Sequence, residues 1–222
     1  MKAYWLLTSH VLCVYPIIVC YLEYKAYKKI QSIYLLTNIL LATLFSVMYH
    51  TKDYHLVVIP NTAHTWTLLD RWESSALVVN TLLYSSNYRS NYFYVNSYVS
   101  NTLLMMLQLL SPEISLFMLY ICCSLLALMK YKTYIYYICQ QKLLTVVTVI
   151  FLILSITFFT LANVYNQSYT PLHSAWHFCI YTTCGLCCTL RYRYNQFLNS
   201  STSIEMINIT TPRNCRPASL SI

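Results

Sequence analysis

Long apolar runs recur along the chain, separated by short polar stretches in which Lys, Arg, Asn and Tyr collect. A helix needs about 17 to 25 predominantly apolar residues to cross the hydrocarbon core of a bilayer. Seven stretches meet or approach that length: residues 4–21, 30–49, 68–84, 92–110, 114–129, 143–165 and 172–190. The third and fifth are short, and the Tyr-rich segment 131–139 either lengthens the fifth or lies in the interface. The pattern predicts an all-α membrane protein, a bundle of seven transmembrane helices over residues 1–193. The segment 194–222, rich in Ser, Thr, Asn and Pro, is expected to be a disordered tail.

Tyr and Trp crowd the ends of these stretches, as in Tyr4, Trp5, Tyr134, Tyr136 and Tyr137, where an amphipathic ring can sit at headgroup depth. The first stretch follows Lys2 as a signal peptide would, yet no small-x-small cleavage site succeeds it, and it is read as a helix. Cationic loops stay on the cytoplasmic side. With seven spans, one set of loops holds Lys25, Lys28, Lys29, Arg89, Lys130, Lys132, Lys142, Arg191, Arg193, Arg213 and Arg216, and the other only Lys2, Lys52 and Arg71. The N-terminus is therefore expected outside or in the lumen, and the C-terminus in the cytosol.

Composition agrees. Hydrophobic residues make up 58% of the 222 positions and charged residues 9%, against roughly 25% charged in soluble domains, which leaves no room for a second, soluble domain. One glycine, Gly185, excludes the Gly-rich loops that cradle nucleotides. The net charge of +8 is scattered between apolar runs and forms no basic face for nucleic acid. Nine of the ten cysteines lie inside or beside apolar runs and read as free thiols. In the Cys184-Gly185-Leu186-Cys187-Cys188 stretch, small residues for close helix contact are a better reading than a redox or metal pair.

Ionisable groups inside a membrane are costly and mark functional sites. Ser46 and His50 lie four residues apart, on one face at the outer end of the second helix, and His173 and His177 repeat that spacing at the start of the seventh. Asp70 opens the third helix at the same predicted depth. Three imidazoles with an open fourth position suit a catalytic zinc. In this reading His50, His173 and His177 are the metal ligands, Asp70 takes a proton from the attacking water, and the Ser46 hydroxyl serves an oxyanion or a ligand. An amide or ester bond of a membrane lipid is the matching substrate. Each piece alone has a plainer role in packing or capping; their shared depth and order favour a metal site. His10 reads as an interhelical hydrogen-bond partner, His55 and His64 as solvated loop residues either of which is able to replace one of the three, and Glu23 and Lys25 as snorkelling at the inner face.

Ser-x-x-x-His in the second helix, Asp in the third and His-x-x-x-His in the seventh resemble the CREST superfamily of seven-helix membrane hydrolases. Within it, Tyr-His-Thr-Lys-Asp ending at Asp53, Leu-Leu-Asp-Arg-Trp-Glu-Ser-Ser around Asp70 and His-Ser-Ala-Trp-His ending at His177 look most like the branch of transmembrane protein 8 and myomaker. Lys52 stands where that branch usually carries Cys. The resemblance implies zinc held by His50, His173 and His177, with Ser46 and Asp70 as polar partners. It implies a hydrolase acting on a membrane lipid, such as a GPI-anchor or sphingolipid acyl chain. Its other branches imply a non-enzymatic membrane-remodelling factor in cell fusion, or a receptor of the adiponectin and progestin type. A plasma-membrane or secretory-pathway location goes with any of these.

The orientation has a direct test, because glycosylation sequons stand at Asn166, Asn199 and Asn208. Expressed in a glycosylating cell, the chain is expected to carry no glycan at Asn199 or Asn208, as read by mass spectrometry with and without glycosidase. A glycan at either position reverses the topology.

Overall fold

The computed structural model describes residues 2–53, 63–85, 90–110, 139–165 and 169–210. Helix α1 (Lys2–Ser9), a 3₁₀ segment (His10–Cys13) and α2 (Val14–Tyr27) follow one another without a break as a first rod. Then come α3 (Ile30–Asp53), α4 (Ala63–Ser85), α5 (Ser90–Leu110), α6 (Lys142–Val164) and α7 (Tyr169–Thr210). No strand occurs among the described residues. Six of the predicted apolar stretches fall on these helices, while 114–129 lies outside the described residues. Among the described residues three helices, Leu6–Tyr27, Ile30–Lys52 and Lys142–Ala162, are long and apolar enough to cross a membrane.

Local chemistry explains the breaks. Pro16 has no N–H to offer the carbonyl four residues back and its ring crowds that turn, which accounts for the tightening to 3₁₀ geometry at His10–Cys13. The first rod ends at Lys28, whose φ of 54° is left-handed and whose N–H bonds the Tyr24 carbonyl at 2.7 Å; glycine usually takes this position. Pro171 stands in the first turn of α7, where a missing N–H costs nothing. That helix continues to Thr210, so residues 194–210 are helical where a disordered tail was expected.

The bundle buries an apolar cluster that includes Leu35, Ile39, Leu77, Leu83 and Phe93 together with many polar side chains, and leaves large apolar residues outside. Leu40, Leu41 and Leu44 of α3, Leu103, Met106 and Leu109 of α5, and Val146, Val149, Ile150 and Ile153 of α6 are exposed, as lipid-facing residues should be. Asn38, Asn80, Thr81, Ser97 and Gln108 are buried. The first rod and α4 each pack against both α3 and α7, while α3 and α7 are not packed along one another; α5 leans on α4, and α6 on α7. At Gly185 of α7 the first rod approaches closely, and a β-carbon there would clash with the Tyr15 ring at its Cδ1. The Tyr15 hydroxyl meets Thr189 Oγ1 at 2.9 Å. Gly185 thus serves close helix contact, and the neighbouring thiols are free, Cys20 Sγ and Cys188 Sγ lying 3.7 Å apart.

At the end away from Ser46 and His50, two residues expected at the membrane surface are fully buried: Glu23, expected to snorkel, and Arg191, expected in a loop. Arg191 Nε donates to Glu23 Oε1 at 3.2 Å, its Nη1 to the Tyr84 carbonyl and its Nη2 to Gln31 Oε1 at 2.8 Å. Asn195 Nδ2 adds a bond to Glu23 Oε1 at 2.6 Å. Lys29, between the first rod and α3, donates to Asn195 Oδ1 at 2.7 Å. Burial, then the Arg191 charge, hold its ammonium below the usual range, with Glu23 pulling the other way. One guanidinium on α7 thereby ties down the first rod, α3 and α4.

Replacing one partner of a buried pair leaves the other charge uncompensated, at about 3–5 kcal/mol, whereas an apolar pair is often tolerated. Arg191→Met is therefore expected to lower the thermal midpoint in detergent sharply, and Glu23→Leu with Arg191→Met to recover most of the loss. Equal midpoints for the single and double variants would deny the clasp its role.

Candidate metal centre

The opposite end of the polar interior is made of imidazoles. Ser46 and His50, one turn apart on α3, are 1% and 0% exposed. His173 and His177, one turn apart on α7, are equally enclosed, and so is Asp70 of α4. The spacing of four puts each pair on a single face, and the packing of the first rod and α4 between α3 and α7 turns both faces inward.

His50 Nε2 and His177 Nε2 are 3.5 Å apart. In a tetrahedral zinc site with bonds of 2.0–2.1 Å, two nitrogens stand about 3.3 Å from each other, so this pair needs little movement to share an ion. The third nitrogen close enough is not the one read from sequence. His10, Nε2 or Nδ1, lies with one nitrogen each of His50 and His177 inside a group whose members are all within 4.8 Å. His173 stands beside them, its ring centroid 5.0 Å from that of His50 and 4.7 Å from that of His177, with Tyr169 stacked on it at 4.8 Å. Four imidazoles from the first rod, α3 and α7 thus meet at one depth.

Several of their polar atoms have no protein partner: His10 Nε2, His50 Nδ1 and His173 Nε2 are buried without a hydrogen bond. Orphaned buried nitrogens are rare and ask for a reason. A cation among them supplies one, and a set of imidazoles is the donor chemistry that suits zinc and its neighbours in the transition series. The cluster is able to hold a metal ion.

The acid lies across the α3–α4 contact. Ser46 Oγ and Asp70 Oδ1 are both buried without a hydrogen-bond partner. Glu73, one turn further along α4, is also buried, with Oε1 unpartnered. Tyr181 continues the α7 face below His177 and bonds Thr43 of α3 at 3.0 Å. A small crevice lined by Ala42, Ser74, Leu77, Trp176, His177, Ile180 and Tyr181 opens beside the cluster.

His10 is what sequence reading missed. It was expected to bond a neighbouring helix, and its hydrogen bond instead runs within its own, from Nδ1 to the Leu6 carbonyl at 2.9 Å. The available signal was an isolated histidine in an apolar helix at the same predicted depth as the others. Of the loop histidines, His55 lies outside the described residues and His64 is in the first turn of α4.

No family model, curated protein or solved structure matches the chain.

Metal analysis of the purified protein checks the centre. About one divalent ion per chain is expected, and loss of that ion in both His50→Ala and His177→Ala, since each removes a donor from the closest pair. A metal-free protein that cannot be reconstituted would remove the centre.

Proposed function

We propose that this chain is a zinc-dependent hydrolase working inside a membrane on an amide or ester bond of a lipid. The supporting observation is the convergence of buried imidazoles with the Ser46 and Asp70 pair at one end of an apolar-surfaced bundle. In the proposed arrangement seven helices cross the bilayer, the N-terminus is outside or lumenal, and the C-terminus is cytosolic. The site then faces the outer or lumenal leaflet of the plasma membrane or a secretory-pathway membrane. The resemblance to the transmembrane protein 8 and myomaker branch points the same way.

His50 and His177, with His173 or His10 completing the set, would hold the zinc, and the bound metal would supply a Lewis acid that makes a water nucleophile available near neutral pH. The Asp70 carboxyl receives the proton of the attacking water and returns it to the leaving nitrogen or oxygen. Its unpartnered Oδ1 is free to accept. Ser46 Oγ donates toward the oxygen on which charge develops. Ala42, Leu77, Trp176 and Ile180 give the small crevice beside His177 an apolar lining. The burial of all these groups keeps bulk water from the reaction.

One observation favours a second reading, a membrane-remodelling factor without turnover. α3 and α7 are joined through the side-chain pairs Thr43–Tyr181 and Gln31–Arg191 and not by close backbone packing, so an ion shared by His50 and His177 would add a further tie between them.

The two readings part at Asp70. For a hydrolase, Asp70→Asn is expected to keep the metal and lose about 10² to 10⁴ in turnover, while His177→Ala loses both, with zinc content and released fatty acid measured in parallel. Full turnover in Asp70→Asn removes the acid from the mechanism. A metal-loaded wild-type protein with no turnover on any lipid, whose fusion activity survives Asp70→Asn and not His177→Ala, is the remodelling factor.

A further inference from the structure

Two thiols of different helices meet well away from the imidazoles. Cys20 of the first rod and Cys188 of α7 are both fully buried, and their sulfurs lie 3.7 Å apart, each the other's hydrogen-bonding partner. From Cys188 back to His177 is about 16 Å along the helix at 1.5 Å per residue. The proposed reaction uses neither thiol.

Helix register makes this meeting a fixed feature of the bundle. Cys20 and Cys188 are separated by 168 residues, and so are Glu23 and Arg191. The sulfur pair therefore lies one turn from the clasp on both helices at once, and the bonds that hold Arg191 also hold the sulfurs face to face. One turn to the other side, Gly185 lets the first rod come close to α7.

Two thiols so placed form a soft donor set. Structural zinc asks for four ligands in a tetrahedron, and calcium and magnesium ask for oxygens. A pair of sulfurs meets neither demand, whereas Cu(I) prefers sulfur and is satisfied by two such ligands. Metal–thiolate bonds of about 2.3 Å on either side of an ion put two sulfurs up to about 4.6 Å apart, so this pair opens by less than about 1 Å to take one. Cys187, partly exposed beside Cys188, gives an ion a first thiol from which to pass inward by ligand exchange.

Charge acts in the same direction. Cu(I) entering between two thiols expels both protons and leaves a bis-thiolate complex of net charge −1, sheltered from water. The adjoining clasp links two cations, Arg191 and, through Asn195, Lys29, to the single carboxylate of Glu23. Its positive excess lies one turn away and offsets the new anion.

We propose that Cys20 and Cys188 form a second metal site, between the first rod and α7, for a soft monovalent cation of the Cu(I) class. The site is independent of the imidazole centre and of lipid turnover.

The test titrates full-length protein in detergent with Cu(I), anaerobically and under a reductant, against a chromophoric Cu(I) chelator. Wild type is expected to withdraw about one Cu(I) per chain, to release about two protons per ion, and to show sulfur neighbours only in its X-ray absorption spectrum. Cys20→Ser and Cys188→Ser are each expected to lose that ion, and Cys139→Ser, which removes an exposed thiol, to keep it. Cys20→Ala and Cys188→Ala repeat the measurement should a serine variant be unstable. An unchanged Cu(I) count in the folded Cys20 and Cys188 variants overturns the proposal, as does a wild type that takes no Cu(I) from the chelator. Nitrogen neighbours, with loss of the ion in His50→Ala, move it to the imidazoles and overturn the proposal while leaving the first centre standing. Sulfur-bound Cu(I) in a protein whose imidazoles take no divalent ion upholds this site alone.

Discussion

Arg191 is the constraint around which the bundle is organised. A guanidinium removed from water must have its charge and its donors compensated, and each of its partners comes from a different part of the chain: Glu23 from the first rod, Gln31 from α3, and the Tyr84 carbonyl from α4. Its plane also lies 4.2 Å from the centre of the Tyr84 ring. Because those geometries must be met together, the axial register of four helices is fixed at one end. Register fixed there is inherited by the other end, where Ser46, His50, Asp70, His173 and His177 have to share a depth.

Between the two ends runs a column of polar contacts that an apolar interior would not support. Tyr84 donates to Ser32 at 3.1 Å, Asn80 to Asn38, and Thr43 pairs with Tyr181 at 3.0 Å. In lipid, where nothing outside competes for hydrogen bonds, such pairs give helices specificity that apolar contact alone lacks, at roughly 0.6 to 2 kcal/mol each. The exposed apolar faces of α3, α5 and α6 have no comparable selectivity, and α3 and α6 are long and apolar enough to cross a membrane.

The apolar stretches were readable as helices because an unbroken apolar run of that length has few other ways to satisfy its backbone, and six of the seven fall on described helices, three of which are long and apolar enough to cross a membrane. The pairing of Ser46 with His50 and of His173 with His177 was readable for a similar reason, a fixed angular period. Glu23, Arg191 and His10 were misjudged. Each carries a residue type whose ordinary place is known, a carboxylate or guanidinium at the interface and a lone histidine in packing, and each was moved from it by a partner distant in sequence. Residue 23 and residue 191 give no local sign of one another. The helical stretch beyond Arg193 was misjudged differently: its polar composition suggested disorder, yet Tyr194 and Asn195 are buried against the bundle and carry the helix past the apolar run.

The separation of α3 from α7 has a consequence for how the molecule is made. His10 and His50 emerge early from the ribosome, and His177 only after 127 further residues, the sequence distance that divides the closest pair. No nascent chain short of that point is able to present the cluster, and the last rod must dock through Gly185 and Arg191 before the imidazoles face each other. The metal that the proposed centre would hold could therefore enter only late in the making of the chain, once the final helix is in register.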